Sequence, residues 1–399
     1  MKYIIIGGGP SGLTFANRLL QFGEKDFLLV EACDEVGGLC KSENVDGSPL
    51  DTGGGHFLDV RNKRVLDFLF GFMPEREWNL FERDSRIYLH DRYVHHPIEA
   101  NIFEFPIDTQ VEYLASIAKA GCNIGTPSPE KFAEWCRWKL GDRIADDYMI
   151  PYNEKMFSKY LYTLGTYWLD KLPDVSFSDT IRSCLERVPH AKQPGHANFY
   201  YPKKFGYGEL WKRTGEALGD KLVLSKKVNA LDLNNHKIRT TNGDTYEGDI
   251  IVTTVPWKSY DEILGLSDDV LRSIQELKHT SIYVEYVPER YENEAQWVYY
   301  PQYEISFHRI LARENFCENS KGYWTETNAD RFNTNTSNKN FFNEYAYPVN
   351  TTGKPEIMSK LLRECERHDV YGLGRWGEHM HYNSDIVVDK AVALCEEMM

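Results

Sequence analysis

The chain has no stretch approaching the roughly 18 consecutive apolar residues that a membrane-spanning helix needs, so no membrane partner is expected. It has no apolar leader with a small-residue cleavage site either. Met1-Lys2-Tyr3-Ile4-Ile5-Ile6 runs straight into glycines and reads as a core strand, which makes the cytoplasm the expected address. The 8 cysteines (Cys33, Cys40, Cys122, Cys136, Cys184, Cys317, Cys365, Cys395) form no C-x-x-C pair and have no histidine at metal-ligand spacing. They read as small buried hydrophobes in a reducing compartment, and no metal is expected. A basic stripe is also missing: the net charge of -14 argues against a nucleic-acid surface. It leaves room for an anionic small molecule, because a few arginines make a local positive site in an acidic protein.

What is present is a globular composition, 42% hydrophobic and 14% aromatic, spread over 399 residues, too many for one ordinary core and suited to two or three domains. Ile4–Ile6 end at Gly7-Gly8-Gly9-Pro10-Ser11-Gly12, after which Leu13, Ala16 and Leu20 recur at helical spacing. That is a strand, a glycine turn and a helix. Gly7 serves the tight turn, Gly9 lets the backbone approach a pyrophosphate, and Gly12 lets the helix pack against the strand. The helix start at Ser11 offers amide donors to phosphate. Phe27-Leu28-Leu29-Val30 is a second strand that delivers Glu31, about 20 residues past the fingerprint, where an acid bonds a ribose hydroxyl.

Two further glycine clusters follow. Val36-Gly37-Gly38-Leu39-Cys40 lets the chain lie along a dinucleotide, and Asp51-Thr52-Gly53-Gly54-Gly55-His56-Phe57 follows it. Lys226–Leu231, with Val228, reads as a strand, and Tyr246–Val255 as another that stops at Pro256. At the end of the chain Val370-Tyr371-Gly372-Leu373-Gly374-Arg375 precedes Asn383-Ser384-Asp385, which should cap a last helix through Ala393 and aim its dipole at the electron-rich edge of a flavin. The cofactor expected from this framework is FAD. With a single G-x-G-x-x-G, a nicotinamide should act only as an external reductant, as NADH or NADPH.

These segments resemble FAD enzymes of the amine-oxidase and glutathione-reductase type. Within that class the chain most resembles the UDP-galactopyranose mutase family, in its eukaryotic branch. The resemblance is carried by Gly54-Gly55-His56 with Asn62-Lys63-Arg64, by Phe132-Ala133-Glu134-Trp135, and by Ile144-Ala145-Asp146 through Pro151-Tyr152-Asn153-Glu154-Lys155. Phe199-Tyr200-Tyr201-Pro202, Trp297-Val298-Tyr299-Tyr300-Pro301, Phe307-His308-Arg309, Tyr347-Pro348 and Gly374-Arg375 continue it. It implies an α/β fold, in which a Rossmann-like FAD-binding domain (1-82, 204-265 and 368-399) carries a helical insertion (104-186) and a mainly antiparallel β-sheet substrate domain (83-103, 187-203 and 266-367). In the helical part Val111, Leu114 and Ala118 should share one face, and Ser128-Pro129 should start the next helix. Ser281–Arg309 should form aromatic-rich strands and Thr325–Asn343 a long loop.

The resemblance also implies a function: isomerisation of a nucleotide-linked sugar between pyranose and furanose, with N5 of the reduced flavin as nucleophile and UDP as leaving group, in polysaccharide biosynthesis. It places Arg309, Tyr299 and Tyr347 on the pyrophosphate and Trp135 on the nucleotide, with Asn153 also on the substrate. His56 falls beside the isoalloxazine, Arg375 on the flavin, and His56 and Arg309 are the expected catalytic residues. Departures are concentrated in the substrate site. A second pyrophosphate arginine falls on Ile150, a third tyrosine on His381, and the sugar-pocket tyrosine and glutamine on His96 and Glu99. Lys155 and Arg313 are the candidate replacement cations. Two alternatives stay open: an oxidoreductase of the amine-oxidase or protoporphyrinogen-oxidase type, and a nucleotide-sugar-binding flavoprotein without turnover. The sugar, the reductant and the oligomeric state are left open as well.

Overall fold

A computed structural model describes residues 1–169, 172–191 and 197–399. The first strand, Tyr3–Ile6, lies in the middle of a parallel five-stranded sheet ordered Leu222–Val223, Phe27–Val30, Tyr3–Ile6, Ile250–Thr253, Val370–Gly372. Its four residues are all buried, as expected of a strand covered on both faces. Alternation then assigns the faces. Tyr3 and Ile5 pack with Leu13, Phe15, Ala391 and Val392, which belong to the first and last helices, Pro10–Gln21 and Ser384–Met398. Ile4 and Ile6 pack with Leu231, Ile238 and Trp257 on the opposite side. The segment Tyr246–Val255, expected as one strand, is two. Thr245–Glu247 joins a four-stranded sheet with Val228–Asp232, and Ile250–Thr253 joins the parallel sheet, with Gly248 and Asp249 at the turn between them.

The second large sheet has seven strands, ordered Asn340–Pro348, His279–Val287, Tyr323–Asn328, Arg309–Leu311, Trp297–Tyr299, Ser85–Leu89, Arg92–His95. All but one of its pairings are antiparallel. Its register puts Tyr299 opposite Arg309 and Arg309 opposite Glu326, so three functional side chains share one face across three strands. The expected loop from Thr325 to Asn343 is strand at both ends, in Tyr323–Asn328 and Asn340–Pro348, with a short helical turn Ala329–Arg331 and irregular chain from 332 to 339 between them. Thr325, Glu326, Thr327 and Asn328 are buried in the sheet, and polar composition had hidden the strand because this face serves a polar site.

The helical part holds Ile107–Ala118, Phe132–Ile144, a π-turn Ala145–Met149, Ile150–Phe157 and Phe177–Glu186. One expectation fails here, and the face shared by Val111, Leu114 and Ala118 is not the buried one. Ile107–Ala118 buries Gln110, Tyr113 and Ile117, while Val111 is 59% exposed. The next helix starts at Phe132 after an N-cap at Lys131, not at Ser128-Pro129, because Lys131 bridges Gly165 and holds the chain extended up to that point.

Candidate functional site

Glycines build the first part of the site. Gly7 has φ +104 and a Cβ on it would meet Thr254 Oγ1 at 2.4 Å, so only glycine turns here. A Cβ on Gly12 would meet the Gly7 carbonyl oxygen at 2.1 Å, which is the close packing of turn on helix. Gly9 is different: its Cβ would meet nothing nearer than Gly38 Cα at 4.0 Å, so the backbone there faces open space. The helix behind it has no side-chain cap and begins with Pro10 at N1, so the amides of its first turn, at Ser11 and Gly12, are directed at that space. Glu31 closes the turn from the second strand, taking Gly8 N–H at 2.5 Å and Cys33 N–H at 2.8 Å. Gly374 comes up against the same turn: a Cβ there would stand 1.9 Å from Ser11 Oγ. Leu39 lies in the short turn Gly38–Cys40, and Val228 belongs to the cluster of Ile6 and Val30 that backs the turn.

Beyond this cradle opens a cavity of about 440 Å³ lined by the Gly53–Phe57 turn, the seven-stranded sheet, the helical part and the start of the last helix. It brings together Gly55, His56, Phe57, His96, Trp135, Asn153, Tyr299, Arg309, Tyr347, Arg375, His381, Asn383 and Ser384, which sequence reasoning had nominated from across the chain. Gly7, Gly9, Ser11, Gly12, Glu31, Gly38, Leu39, Val228 and Asp385 are not on its wall. Asp385, just behind Ser384, is buried with Oδ1 lacking a hydrogen-bond partner among the described residues, and burial raises its carboxyl. Asn383 is the N-cap of the last helix but makes no capping bond, and the helix runs to Met398, past Ala393.

His56 Nδ1 lies 2.8 Å from the Gly54 carbonyl oxygen. Burial, then Arg375, lowers its imidazole to about 4, so it is neutral near pH 7. A neutral ring that donates from Nδ1 to a carbonyl presents Nε2 as an acceptor. Arg375 is fixed by Nε and Nη2 on the Tyr382 carbonyl, at 3.0 and 2.7 Å, and by Nη1 on that of Ala346. Tyr299 is the most informative hydroxyl. It accepts from Arg83 Nη2 at 2.9 Å and from Trp297 Nε1 at 2.8 Å, which occupies its lone pairs and leaves its own proton to be donated. Arg309 donates from Nη2 to Glu326 at 2.5 Å, while its Nε has no partner among the described residues. Burial opposes the guanidinium's charge, but Glu326 beside it holds it charged, well above its ordinary value.

Glu326 and Arg83 were missed in the sequence. Glu326 is fully buried and accepts from Arg309, from Gly55 N–H at 2.9 Å and from Tyr347 OH at 3.3 Å. Burial alone would raise its carboxyl, but Arg309, the His308 ring 3.7 Å away and the bond from Gly55 outweigh that and hold it well below the carboxylate range. The only available signal was its position in a polar run that composition marked as loop. Arg83 lies just before the strand Ser85–Leu89 and stacks over Trp297 at 4.6 Å.

The proposed replacement cations are overturned. Lys155 is buried outside the cavity, donating to the Tyr300 and Gln302 carbonyls at 2.6 and 3.0 Å, and burial lowers it to about 7. Arg313 is fully buried and spends its guanidinium on the carbonyls of Val45, Ser48, Pro49 and Lys321. Ile150 belongs to the apolar core and does not reach the cavity wall either. Arg83, Arg61 and Arg375 do reach it.

The cradle and cavity fit a flavin dinucleotide: an uncapped helix start, a glycine facing open space, and an acid at the end of the second strand. The family model for flavin containing amine oxidoreductases matches residues 10–287. A flavin-containing amine oxidase A from Canis lupus familiaris is 24% identical over 276 residues, which are 63% of this chain and 49% of that one. The chain spans half or less of the length of the curated relatives it matches. Among solved structures, a reduced UDP-galactopyranose mutase superposes over 100% of this chain and 95% of its own with a TM-score of 0.88 at 23% identity. A protein from Exiguobacterium sp. 255-15 assigned as a protoporphyrinogen oxidase covers 100% and 98% with a TM-score of 0.72 at 14% identity. At those identities the likeness is one of fold.

Proposed function

The chain belongs to the family of flavin-containing amine oxidoreductases, and we propose that within this fold it isomerises a nucleotide-linked sugar between pyranose and furanose forms, in the manner of a UDP-galactopyranose mutase. The observation that carries the reading is the pair of unspent donors, Tyr299 OH and Arg309 Nε, on the wall of one cavity. Buried donors without acceptors are costly unless a ligand supplies the acceptor, and a diphosphate has several. When bound, the reduced flavin supplies a nucleophile for the anomeric carbon. The protein's own tasks are then positional and electrostatic. Arg309, Tyr299 and Tyr347 hold the diphosphate as negative charge gathers on it. Trp135, whose ring is stacked with that of Phe132, offers a flat surface to the nucleotide base. His56 Nε2 accepts a proton or a hydroxyl hydrogen bond beside the Gly53–Phe57 turn.

The site residues, the external nicotinamide reductant and the cytoplasmic setting belong to the same proposal. Incubating dithionite-reduced protein with UDP-galactopyranose and resolving the products by chromatography tests it. Furanose formed only with reduced protein, without net redox change, supports the isomerase. A second reading, an oxidoreductase, is favoured by the Arg309–Glu326 pair, because an arginine already neutralised by a buried carboxylate holds an anion less strongly. Its signature is flavin bleaching by substrate with oxygen consumption and no furanose.

A further inference from the structure

His308 directly precedes Arg309 but is not on the cavity wall. It is fully buried, and its peptide is satisfied: the amide donates to the Glu326 carbonyl and the carbonyl accepts from Tyr300 N–H, each at 3.0 Å. Its ring is not. Neither Nδ1 nor Nε2 has a hydrogen-bond partner among the described residues, and a polar ring buried in that way is costly to the empty protein. Nε2 lies 3.7 Å from Glu326 Oε2, beyond hydrogen-bond reach but well within Coulomb range. From the helix Ile150–Phe157, the Tyr152 ring stands 6.0 Å away, and Lys155 has its ammonium fixed on the Tyr300 and Gln302 carbonyls. Burial keeps the imidazole below its ordinary value; Glu326 pulls it upward, while Arg309 and Lys155 add to the lowering. It is therefore neutral near pH 7.

In the empty site Arg309 answers the charge of Glu326, and a ligand anion competes for the same guanidinium. Once Arg309 turns to the anion, Glu326 keeps Gly55 N–H and Tyr347 OH, which are neutral donors, and faces His56, whose imidazole burial and Arg375 hold neutral. Lys155 is committed to its carbonyls. The remaining group able to supply a positive charge is the unpartnered ring of His308. We propose that His308 is a positioning residue: it takes up a proton from solvent as an anion binds, stands in for Arg309 beside Glu326, and so releases the guanidinium to the ligand. The nucleotide-sugar reading names that anion as a diphosphate; the exchange itself needs only an anion at Arg309. The buried carboxylate and imidazole then hold the proton as a coupled pair. This is how an arginine already neutralised by a buried carboxylate can still hold an anion. Before binding the imidazole is held low, and after binding the departure of Arg309 from Glu326 raises it. Between those two values the ligand brings in a proton, so affinity falls as pH rises.

The test titrates the oxidised, flavin-loaded protein calorimetrically with UDP-galactopyranose, whose phosphates do not titrate near neutral pH, in two buffers of different ionisation enthalpy. The wild type should take up roughly half a proton or more per ligand at about pH 6.5, and its Kd should rise roughly tenfold or more from about pH 5.5 to about pH 7.5. His308→Gln, whose amide cannot titrate, should bind without uptake and with a change of about twofold or less over that range. A merely structural His308 would alter affinity alike at every pH and leave the proton count untouched. If His308→Gln fails to hold its flavin, His308→Asn takes its place. Binding to the wild type without uptake, or uptake that survives in the variant, overturns the proposal. Surviving uptake would place the proton on Glu326 alone, or on Glu99 or Lys155, both of which burial brings to about 7. If UDP-galactopyranose does not bind the wild type, the nucleotide-sugar reading fails on its own account, and sulfate, which does not titrate near neutral pH, decides the exchange. Sulfate bound with an uptake that His308→Gln abolishes upholds it; sulfate bound without uptake, or not bound, overturns it.

Discussion

Replacing Arg309 by alanine should destabilise the protein, and the loss should depend on pH in a direction fixed by Glu326. The carboxylate is fully buried and its nearest cation is the Arg309 guanidinium, at 2.5 Å. Gly55 N–H and Tyr347 OH would remain, both neutral donors, and His308 Nε2 lies 3.7 Å away. Breaking a buried pair by removing one partner costs about 3–5 kcal/mol, because the other charge is left uncompensated. For a chain of this size that corresponds to a fall in Tm on the order of 5 °C or more. In the wild type Glu326 is depressed, so its stabilising contribution is present above the unfolded carboxylate value and is lost only as pH falls through its very low folded value. In Arg309→Ala burial is no longer opposed by the guanidinium, and Glu326 is raised. Its contribution is then present below the unfolded value and is lost as pH rises through the raised one. The Tm gap between the two proteins should therefore widen from pH 5 to pH 8, and Glu326→Gln added to Arg309→Ala should recover part of it. Thermal unfolding followed by release of flavin fluorescence measures this. A gap that is the same at pH 5 and pH 8, or a double variant less stable than the single one, refutes the role given to the pair.

Other outcomes follow from the same geometry. With Glu326→Gln as background, removing Arg309 should weaken UDP binding by roughly 1.5–3 kcal/mol, and Arg309→Lys should restore only part of it, because an ammonium does not reproduce the planar fork; titration calorimetry checks both. Gly9→Val should give colourless protein with its fold intact by circular dichroism, since the added Cβ would enter the open space of the cradle with no protein atom nearer than Gly38 Cα at 4.0 Å. Gly374→Ala should lower stability as well as flavin content, because a Cβ there meets Ser11 Oγ at 1.9 Å and φ is +78. Lys354 is buried, donating to Asn350 Oδ1 and the His379 carbonyl, and burial lowers it to about 7. The unfolded chain therefore binds the extra proton between about pH 7 and the ordinary lysine value, so stability rises with pH across that window, and Lys354→Met should flatten the rise in denaturant titrations.

The cradle was legible because each of its demands is met locally. A tight turn, a close approach and a helix start all show in Gly7–Gly12 and Glu31, within one strand-helix-strand unit. The cavity was legible only through resemblance, since Tyr299, Arg309 and Tyr347 are ordinary aromatic and basic residues until the sheet register aligns them. Glu326 was invisible for the same reason. Its partners lie 17 and 271 residues away in sequence, and its polar neighbours resemble a loop. Lys155 and Arg313 were misjudged because sequence shows a charge but not what it is spent on, and both are spent on backbone carbonyls. Val111, grouped with Leu114 and Ala118 on one face by apolar spacing, is exposed, whereas the polar Gln110 is buried because its side chain bonds the Phe103 and Phe105 carbonyls at 3.2 and 2.7 Å.

The Arg309–Glu326 pair also bears on the choice between isomerase and oxidase. Glu326 ties two elements together: the Gly53–Phe57 turn, through Gly55 N–H, and the strand that carries Arg309. A ligand anion that draws Arg309 toward the cavity has to weaken its bond to Glu326, and Glu326 is also bonded to the turn that positions His56. On the nucleotide-sugar reading, binding of a diphosphate at Arg309 would be felt at His56 through this carboxylate. In a mutase that link has a use, because the leaving group and the nucleophile act on opposite sides of one carbon and must be aligned together. In an oxidase acting on a neutral substrate nothing pulls on Arg309, and the pair is only a brace. A UDP-induced change in the flavin spectrum that disappears in the Arg309→Ala, Glu326→Gln protein while UDP still binds at higher concentration would show the link to be functional. An identical change in both proteins would assign the pair to structure alone.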